Sequence, residues 1–373
     1  MSCDFQALAN AGVQKLMPYQ PGKPVEELER ELGISESIKL ASNENPLGPS
    51  PRAIQALGSL LDQLAQYPDG NGFALRNRLA EKLGVEAECI TLGNGSNDVL
   101  ELIARAYLAP GRSAVFSAHA FAVYPLAVQA VGAEARVAAA HAPDHAMPWG
   151  HDLAAMADQV TATTRVIFVA NPNNPTGTWV DGQSLHDFIA AQPADTLVVV
   201  DEAYCEYVEE PDYPDATRWL AEFPNLIVTR TFSKIHGLAG LRIGYAVSHP
   251  QVADILNRVR QPFNTNALAQ AAALEALDDD AHVRQSVQVN REGLQQLGQA
   301  FDERGLGYIP SVGNFICVDV GGEAEPVYQA LLHQGVIVRP VGGYGLPRHL
   351  RVTVGRAHEN RRFIDALDQV LKR

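Results

Sequence analysis

The stretch LIVTRTFSKIHGLAGLR, residues 226–242, opens as an apolar strand and ends in a glycine-rich loop. It places Ser233 and Lys234 side by side and Arg242 a short distance downstream. An ordinary lysine has a pKa of about 10.4 and is protonated at neutral pH. Lys234 can therefore act as a nucleophile only if burial or a neighbouring charge lowers its pKa. Taken alone, the residue fits a solvated loop lysine equally well.

Short runs rich in β-branched residues surround this stretch and alternate with helical patterns. They include SAVFSA, RVIFVA, TLVVVD and IGYAVS. Such alternation predicts an α/β domain over residues 41–250, with a mostly parallel sheet covered by helices on both faces. Long helical patterns and the strands NFICVDV, GVIVRP and HLRVTVG then predict a smaller α+β domain at residues 251–373. We expect residues 1–40 to form an arm that packs with this smaller domain.

Composition narrows the range of partners. The 373 residues carry a formal net charge of −14, which argues against nucleic acid or an anionic membrane as the main partner. No apolar run approaches the length of a membrane span. The first residues, MSCDFQALANAG, lack a basic segment followed by an apolar one, and the four cysteines form no CxxC pair. We therefore expect a cytoplasmic protein with reduced thiols.

Polar residues follow four of the expected strands. They are GNGSN at 93–97, NNPTG at 173–177, DEAY at 201–204 and SK at 233–234. Ligands of doubly wound sheets bind beyond the carboxyl ends of the strands, so the four clusters together predict a site there. The GNGSN loop enters a helix expected at residues 97–108, whose N-terminus suits a single phosphate or is an ordinary helix start. Asp201 requires a cation, such as a protonated heteroaromatic nitrogen, or else caps the next helix.

Other kinds of site fit the sequence poorly. GNGSND has Asp98 where a dinucleotide fingerprint needs its third glycine, and no GxxxxGK occurs, which argues against nucleotide binding. His141, His145 and His151 are interrupted by prolines and lack an accompanying glutamate base, so we predict no metal site. Hydrolysis by Ser233 and Lys234 is disfavoured because adjacent side chains do not face each other and no GxSxG elbow is present.

The combined motifs resemble those of the fold type I, pyridoxal-phosphate-dependent aminotransferases of class I/II. Within that family the chain is similar to the histidinol-phosphate aminotransferases. The resemblance extends over nearly the whole chain and is carried by PYQPGKP, LASNENPLGPSP, YPDGNG, GNGSND, ANPNNPTG, DEAY, TFSKIHGLAGLRIGY and LRVTVG. It implies a large domain with a seven-stranded, mostly parallel sheet, a smaller C-terminal domain, and a homodimer that shares its active sites.

The resemblance also implies roles around pyridoxal 5′-phosphate. Lys234 would carry the cofactor as an aldimine and transfer protons, and Asp201 would pair with the ring nitrogen. Asn174 and Tyr204 would hydrogen-bond the phenolic oxygen, while Phe121 would stack on the ring where relatives often have tyrosine. The phosphate would be bound by Ser96, Asn97, Thr231, Ser233 and Arg242, and by Tyr67 of the partner subunit.

Substrate recognition follows from the same resemblance. Arg351 would bind the substrate's anionic group, assisted by Arg339 and Tyr19, with Asn314 nearby. The implied reaction is a ping-pong transfer between L-histidinol phosphate and 2-oxoglutarate, which yields imidazole-acetol phosphate and L-glutamate in histidine biosynthesis. Two alternatives stay open at this point: an aminotransferase of the same subgroup for phenylalanine or tyrosine, and a related cofactor-dependent decarboxylase. A non-enzymatic binding module is disfavoured by the joint presence of Lys234, Asp201 and Asn174.

Overall fold

A computed structural model describes residues 3–18 and 22–372. Its strands are β1 (Ile38–Lys39), β2 (Ile90–Gly93), β3 (Ser113–Ser117), β4 (Glu134–Ala138), β5 (Thr164–Ala170), β6 (Leu197–Asp201), β7 (Leu226–Thr231), β8 (Gly244–Ser248), β9 (Tyr308–Ile309), β10 (Phe315–Asp319), β11 (Val336–Ile337), β12 (Arg339–Pro340) and β13 (His349–Thr353). Two of the three sheets that they form meet at the candidate site.

The helices lie mostly between strands. They are α1 (Phe5–Leu8), α2 (Ala11–Gln14), α3 (Val25–Leu32), α4 (Pro51–Gly58), α5 (Phe73–Leu83), α6 (Ser96–Tyr107), α7 (Val123–Ala130), α8 (Leu153–Asp158), α9 (Gly182–Ala190), α10 (Pro250–Val259), α11 (Ala267–Leu277), α12 (Asp280–Glu303), α13 (Ala324–His333) and α14 (Ala357–Leu371). Within the described ranges, none of them combines the length and apolarity that crossing a membrane requires.

The largest sheet has seven strands in the order β2-β8-β7-β6-β5-β3-β4. All neighbouring pairs are parallel except the two that involve β8. Its central strands are almost fully buried because helices cover both faces, which explains their continuous apolar sequences. The predicted mostly parallel sheet is therefore confirmed.

A separate hydrophobic cluster lies on each face of this sheet. On one face, Phe168 of β5 packs in a cluster with Val99 of α6 and Val128 of α7. On the other face, Val169 packs with Leu185 of α9. Alternate residues of one strand thus supply the two cores, as the two-residue period of a strand requires. The packing fixes the carboxyl ends of β5, β6 and β7 at one edge.

The second sheet is antiparallel, with the order β12-β13-β10-β9, and packs with α12, α13 and α14. The short β1 pairs in parallel with β11, and Leu28 of α3 packs against Leu332 and Ile337. By contrast, α2 lies close to α7, since a Cβ on Gly12 would be 2.1 Å from the carbonyl oxygen of Gln129. The domain boundaries at residues 40 and 250 stay a prediction.

One local prediction was wrong, and one helix was missed. The Ser50-Pro51 pair is a helix start signal and predicts a helix that continues towards Gln66, but α4 ends at Gly58 and a short 3₁₀ turn follows. Glycine is among the poorest residues for continuing a helix, which accounts for the early end. The helix α10 was not predicted, although Pro250 occupies its first turn and the His249 side chain accepts a hydrogen bond from the backbone N–H of Gln251. Proline at such a position is a recognised start signal.

Candidate active site

The carboxyl ends of the central strands open into a cavity of about 740 Å³. This size is typical of small-molecule sites, and the position is the one expected for ligands of such a sheet. The predicted residues that line the cavity are Ser96, Asn97, Phe121, Asn174, Asp201, Tyr204, Thr231, Ser233, Lys234, Arg242, Arg339 and Arg351. Loops and two different sheets thus bring together side chains that are far apart in sequence.

Lys234 is half-buried at the end of the strand β7, and its Nζ donates a hydrogen bond to the carbonyl oxygen of Ser42 at 3.0 Å. Burial, together with the positive charges of Arg351 and Arg242, lowers the pKa of its amine to about 7. A substantial fraction of the amine is therefore neutral at neutral pH. The structure gives this lysine the nucleophilic character that an ordinary solvated lysine lacks.

Asp201 ends β6 and is buried. Its Oδ2 accepts a hydrogen bond from the Tyr124 hydroxyl and its Oδ1 accepts one from the Thr229 hydroxyl, both at 2.9 Å. Burial raises the pKa of the carboxyl, and the two hydroxyl donors oppose that rise. Over residues 3–18 and 22–372, no cation is paired with it. A cationic ligand group would therefore relieve the cost of burying this charge.

An anion cradle lies where α6 begins at Ser96. Gly95 adopts a φ of +82° there, and a Cβ on it would be 2.4 Å from Nη2 of Arg242. A Cβ on Gly244 would be 2.4 Å from the backbone nitrogen of Ser96. Only glycine leaves room for the Arg242 guanidinium beside residue 95 and for the Ser96 backbone beside residue 244. The free N–H groups and positive dipole of the helix N-terminus favour a phosphate here.

Hydroxyl groups extend this cradle. The Thr231 hydroxyl donates to Oγ of Ser233 at 3.0 Å, and Nη1 of Arg242 donates to the same oxygen at 3.4 Å. Arg242 itself has a φ of +56°, a left-handed conformation that is uncommon for a non-glycine residue. This conformation is often found at functional sites, where the surrounding structure maintains it.

Arg351 and Arg339 form a second cationic centre on the smaller sheet. They are Cα partners across the antiparallel pair β13–β12, so their side chains emerge on the same face. Arg351 is buried, and its guanidinium donates to Oδ1 of Asn174 and to the carbonyl oxygen of Ala41. Its Nε has no hydrogen-bond partner among the described residues. A planar anionic group is the natural ligand for such a fork.

Comparison with known proteins decides the family. The family model of aminotransferase class I and II matches residues 35–367. This chain belongs to the class I and II aminotransferases. It is 60% identical to histidinol-phosphate aminotransferase 2 of Pseudomonas fluorescens (strain Pf0-1) over 100% of both chains. It is 56% identical to histidinol-phosphate aminotransferase 1 of Nitrosococcus oceani, covering 99% of this chain and 98% of the relative.

A solved structure agrees with this assignment. The histidinol-phosphate aminotransferase of Sinorhizobium meliloti, determined in complex with pyridoxal-5′-phosphate, superposes with a TM-score of 0.88 at 29% identity. The match covers 97% of each chain. The fold type I architecture predicted from the sequence is thereby confirmed.

In this aminotransferase, one loop joins the two halves of the cavity. Asn43 is buried with a φ of +55°, and its side-chain amide donates to the hydroxyl of Tyr204 at 2.9 Å. Its backbone N–H donates to the Thr353 hydroxyl, and its carbonyl oxygen accepts from the Asn314 amide, both at 2.9 Å. Asn314 therefore supports this loop and is not among the residues that line the cavity; its place in substrate binding stays a prediction.

Sequence reasoning missed Asn43, Tyr124 and Thr229. Asn43 lies inside the quoted LASNENPLGPSP motif. The neighbouring residues do not indicate its left-handed conformation or its buried amide. Tyr124 lies in the first turn of α7, three residues after Phe121, and the two rings meet edge-on with centroids 5.9 Å apart. A tyrosine in the mostly apolar helix sequence VYPLAVQA was the available clue.

Two further tyrosines, Tyr67 and Tyr19, were predicted at the site. Tyr67 is 83% exposed and does not line the cavity; its ring stacks on Phe263 at 4.8 Å. An exposed position is compatible with the predicted contact across a dimer. Tyr19 falls outside the described residues.

The three histidines considered as a metal site in the sequence make contacts within the protein. The rings of His141 and His145 stack at 3.8 Å, and Nε2 of His151 is hydrogen-bonded to the carbonyl oxygen of Ala170. In the part of the chain that the structure describes, no three histidine, cysteine or acidic side chains are grouped to bind a metal ion.

Proposed function

We propose that this aminotransferase exchanges an amino group between L-histidinol phosphate and 2-oxoglutarate, with pyridoxal 5′-phosphate as its cofactor, in histidine biosynthesis. The observation that carries the proposal is one cavity in which Lys234, with its lowered pKa, lies among a phosphate cradle at Arg242 and a separate arginine pair. The names of the full-length relatives and the cofactor complex of the Sinorhizobium meliloti protein support it.

The residues present fit the cofactor's functional groups. The tight approach of Gly95 and Arg242 at the α6 N-terminus suits the phosphate, with Asn97 and Thr231 adding polar groups. The buried carboxylate of Asp201 suits a protonated ring nitrogen. When bound, a protonated pyridine ring accepts electron density from the carbon that loses its proton.

Other cavity residues would orient the ring. Tyr204 and Asn174 present a hydroxyl and an amide, which suit the phenolic oxygen of the cofactor. Phe121 supplies an aromatic face for stacking, which does not need the hydroxyl found in relatives with tyrosine. Asn43 anchors the Tyr204 hydroxyl by hydrogen bonding.

Lys234 performs the proton transfers in this proposal. Its amine would hold the cofactor in the resting enzyme and would be available as a base once the amino substrate is bound. Nζ takes the proton from the substrate's Cα and later donates it on the same face, as a general base and acid with a pKa close to the working pH. The low pKa of about 7 allows both protonation states to be populated.

The arginine pair would bind both substrates in turn. Arg351 presents a fork that fits a carboxylate or a phosphate, and Arg339 adds a second positive charge on the same face. Glutamate and histidinol phosphate can therefore alternate at one site, which is what a ping-pong reaction requires. Tyr19 keeps its proposed role in substrate binding, and Asn314 is assigned an indirect role through the Asn43 loop.

We also propose a homodimer in the cytoplasm. Large apolar side chains are exposed around the Tyr67 segment: Ile54, Leu61, Leu64, Tyr67, Phe73 and Phe263. An exposed apolar surface of this kind typically marks a protein interface. A second copy of the chain is the proposed occupant, with Tyr67 of each subunit reaching the phosphate in the other. Light scattering of the purified protein should therefore give twice the chain mass of 40.3 kDa.

The function is tested by steady-state kinetics of the cofactor-loaded protein. With histidinol phosphate and 2-oxoglutarate it should release glutamate, and kcat/KM for histidinol phosphate should exceed that for phenylalanine. A reversed ratio would assign the protein to aromatic amino acids, and CO₂ release without an amino acceptor would indicate a decarboxylase. Either result contradicts the proposal.

A further inference from the structure

Asp201 accepts hydrogen bonds from the hydroxyl groups of Tyr124 and Thr229, which have no assigned role so far. They come from different elements, since Tyr124 lies on α7 and Thr229 on β7. Each donates to a different oxygen of the carboxylate at 2.9 Å. The plane of the carboxylate is therefore fixed from two directions, while each oxygen retains a free acceptor position.

We propose that Tyr124 and Thr229 are positioning residues, which hold Asp201 ionised and oriented towards the ring nitrogen of the cofactor. The inference rests on the proposed function. It extends that function by assigning the control of ring protonation to two hydroxyl groups that do not touch the substrate.

The electrostatic reason is the burial of Asp201. Desolvation favours the neutral acid, and a neutral carboxyl group cannot form an ion pair with a protonated ring. Hydrogen bonds donated to a carboxylate favour its ionised form, and those from Tyr124 and Thr229 both act in this direction. Without them, the buried carboxyl group would more readily keep its own proton and leave the ring nitrogen without one.

The surroundings of Tyr124 fix its hydroxyl group in place. The side chain is fully buried, and its ring stacks on Phe168 at 4.8 Å with an interplanar angle of 8°. The same ring meets Phe121 edge-on at 88°. Because Phe121 lines the cavity, one tyrosine supports both the carboxylate and the aromatic face proposed for stacking.

The test compares Tyr124→Phe, Thr229→Val and their double variant as cofactor-loaded proteins. Tyr107→Phe is the control, since the Tyr107 hydroxyl is buried beside the same core and has no partner among the described residues. The readouts are the ¹⁵N chemical shift of bound, ¹⁵N-labelled pyridoxal phosphate and the separate kcat and KM for glutamate. Thr229→Ser keeps a hydroxyl group and serves as the rescue variant.

We expect the ¹⁵N shift of the double variant to move towards that of an unprotonated pyridine. We expect kcat to fall at least about 10- to 150-fold, because that is the size of one lost hydrogen bond to a charged group and the double variant loses two, while KM stays within about twofold. Tyr107→Phe and Thr229→Ser should match the wild type. If one substitution prevents folding, the other still tests its own oxygen.

An unchanged ¹⁵N shift and kcat in the double variant would overturn this inference while leaving the proposed function intact. A fall in kcat without a change in the ¹⁵N shift would also overturn it, because it would assign the hydroxyl groups a merely structural role. A wild-type protein that binds no pyridoxal phosphate would overturn the proposed function first, and this inference with it.

Discussion

The two charged centres of the cavity are held in different ways. Asp201 takes its hydrogen bonds from Thr229 and Tyr124, which lie 28 and 77 residues away, on β7 of the same seven-stranded sheet and on the helix α7 that packs on it. Arg351 donates to Asn174 and Ala41, which lie 177 and 310 residues away. The acid is thus positioned within one folded unit, whereas the arginine is positioned by contacts between separate parts of the chain.

This difference indicates separate tasks. A charge held within one packed unit is preorganised and needs no rearrangement when a ligand arrives. Arg351 lines the cavity and its Nε has no partner among the described residues, so it can bind a ligand group as well. We therefore expect changes near Asp201 to affect cofactor binding and kcat, and changes near Arg351 to affect substrate binding and kcat/KM.

The largest effect should come from Lys234→Ala. This substitution tests the side of the cavity that is formed by the seven-stranded sheet. General acid–base catalysis contributes about 10²- to 10⁴-fold, and the covalent step is lost as well. Glutamate release should fall by at least this factor, and the visible absorbance of the bound cofactor should change. Lys82→Ala is the matched control because its amine lies outside the cavity. Near-normal turnover in Lys234→Ala would refute the assigned role.

Arg351→Ala should have the next largest effect and tests the other side of the comparison. Removing one partner of a buried charged pair costs about 2–5 kcal/mol, which corresponds to about 30- to 4,000-fold in kcat/KM. Cofactor affinity should change little. Arg351→Lys should recover only part of the loss because an ammonium cannot form two parallel hydrogen bonds.

The control for this arginine is Arg348→Ala, which removes a guanidinium paired with Asp319 outside the cavity. A large loss of cofactor affinity in Arg351→Ala, with substrate kinetics unchanged, would invert the proposed division of tasks.

Tyr67→Phe should weaken cofactor binding by about 10- to 150-fold, the effect of losing one hydrogen bond to a charged group. The dimer should persist because the aromatic ring remains. Tyr308→Phe removes a hydroxyl group far from the cavity and is the control. Equal cofactor affinities for Tyr67→Phe and wild type would contradict the proposed contact of Tyr67 with the phosphate in the other subunit.

The smallest expected effect is measured in a pH titration of the cofactor-free protein. Lys234 should react with an amine-directed reagent along a curve with its midpoint near pH 7, since burial lowers its pKa to about 7. Peptide mapping by mass spectrometry measures this rate alongside that of the exposed Lys15 as an internal reference. Because the folded pKa lies below that of the unfolded chain, this group's contribution to stability increases as pH rises from about 7 towards 10.4. A midpoint near 10 would contradict the structure.

Much of the architecture could be predicted from the sequence. The apolar runs of β5, β6 and β7 and the polar residues that follow them place Asn174, Asp201 and Lys234 at one edge, and the structure brings them into one cavity. This works because strand period and strand-end position are local properties of the chain.

The missing parts depend on contacts that are distant in sequence. Tyr124 becomes a partner of Asp201 only because α7 packs on β5 and turns the hydroxyl towards the neighbouring strand. The local sequence of Asn43 does not reveal its three partners, since two of them, Thr353 and Asn314, belong to the smaller sheet or its approach. The motifs predicted which residues line the cavity, but not which side chains hydrogen-bond to them.

The pairing of β1 with β11 also has a consequence for the order of folding. Ile38 and Lys39 acquire their partners, Val336 and Ile337, only after almost the whole chain has been synthesised. Such long-range closure is slow, because the entropy of a large loop must be lost before the contact forms. The loop after β1, which supplies the oxygen bound by Lys234, is therefore completed late. Until β11 has paired with β1 and Arg351 has reached Asn174, the cavity lacks part of its wall.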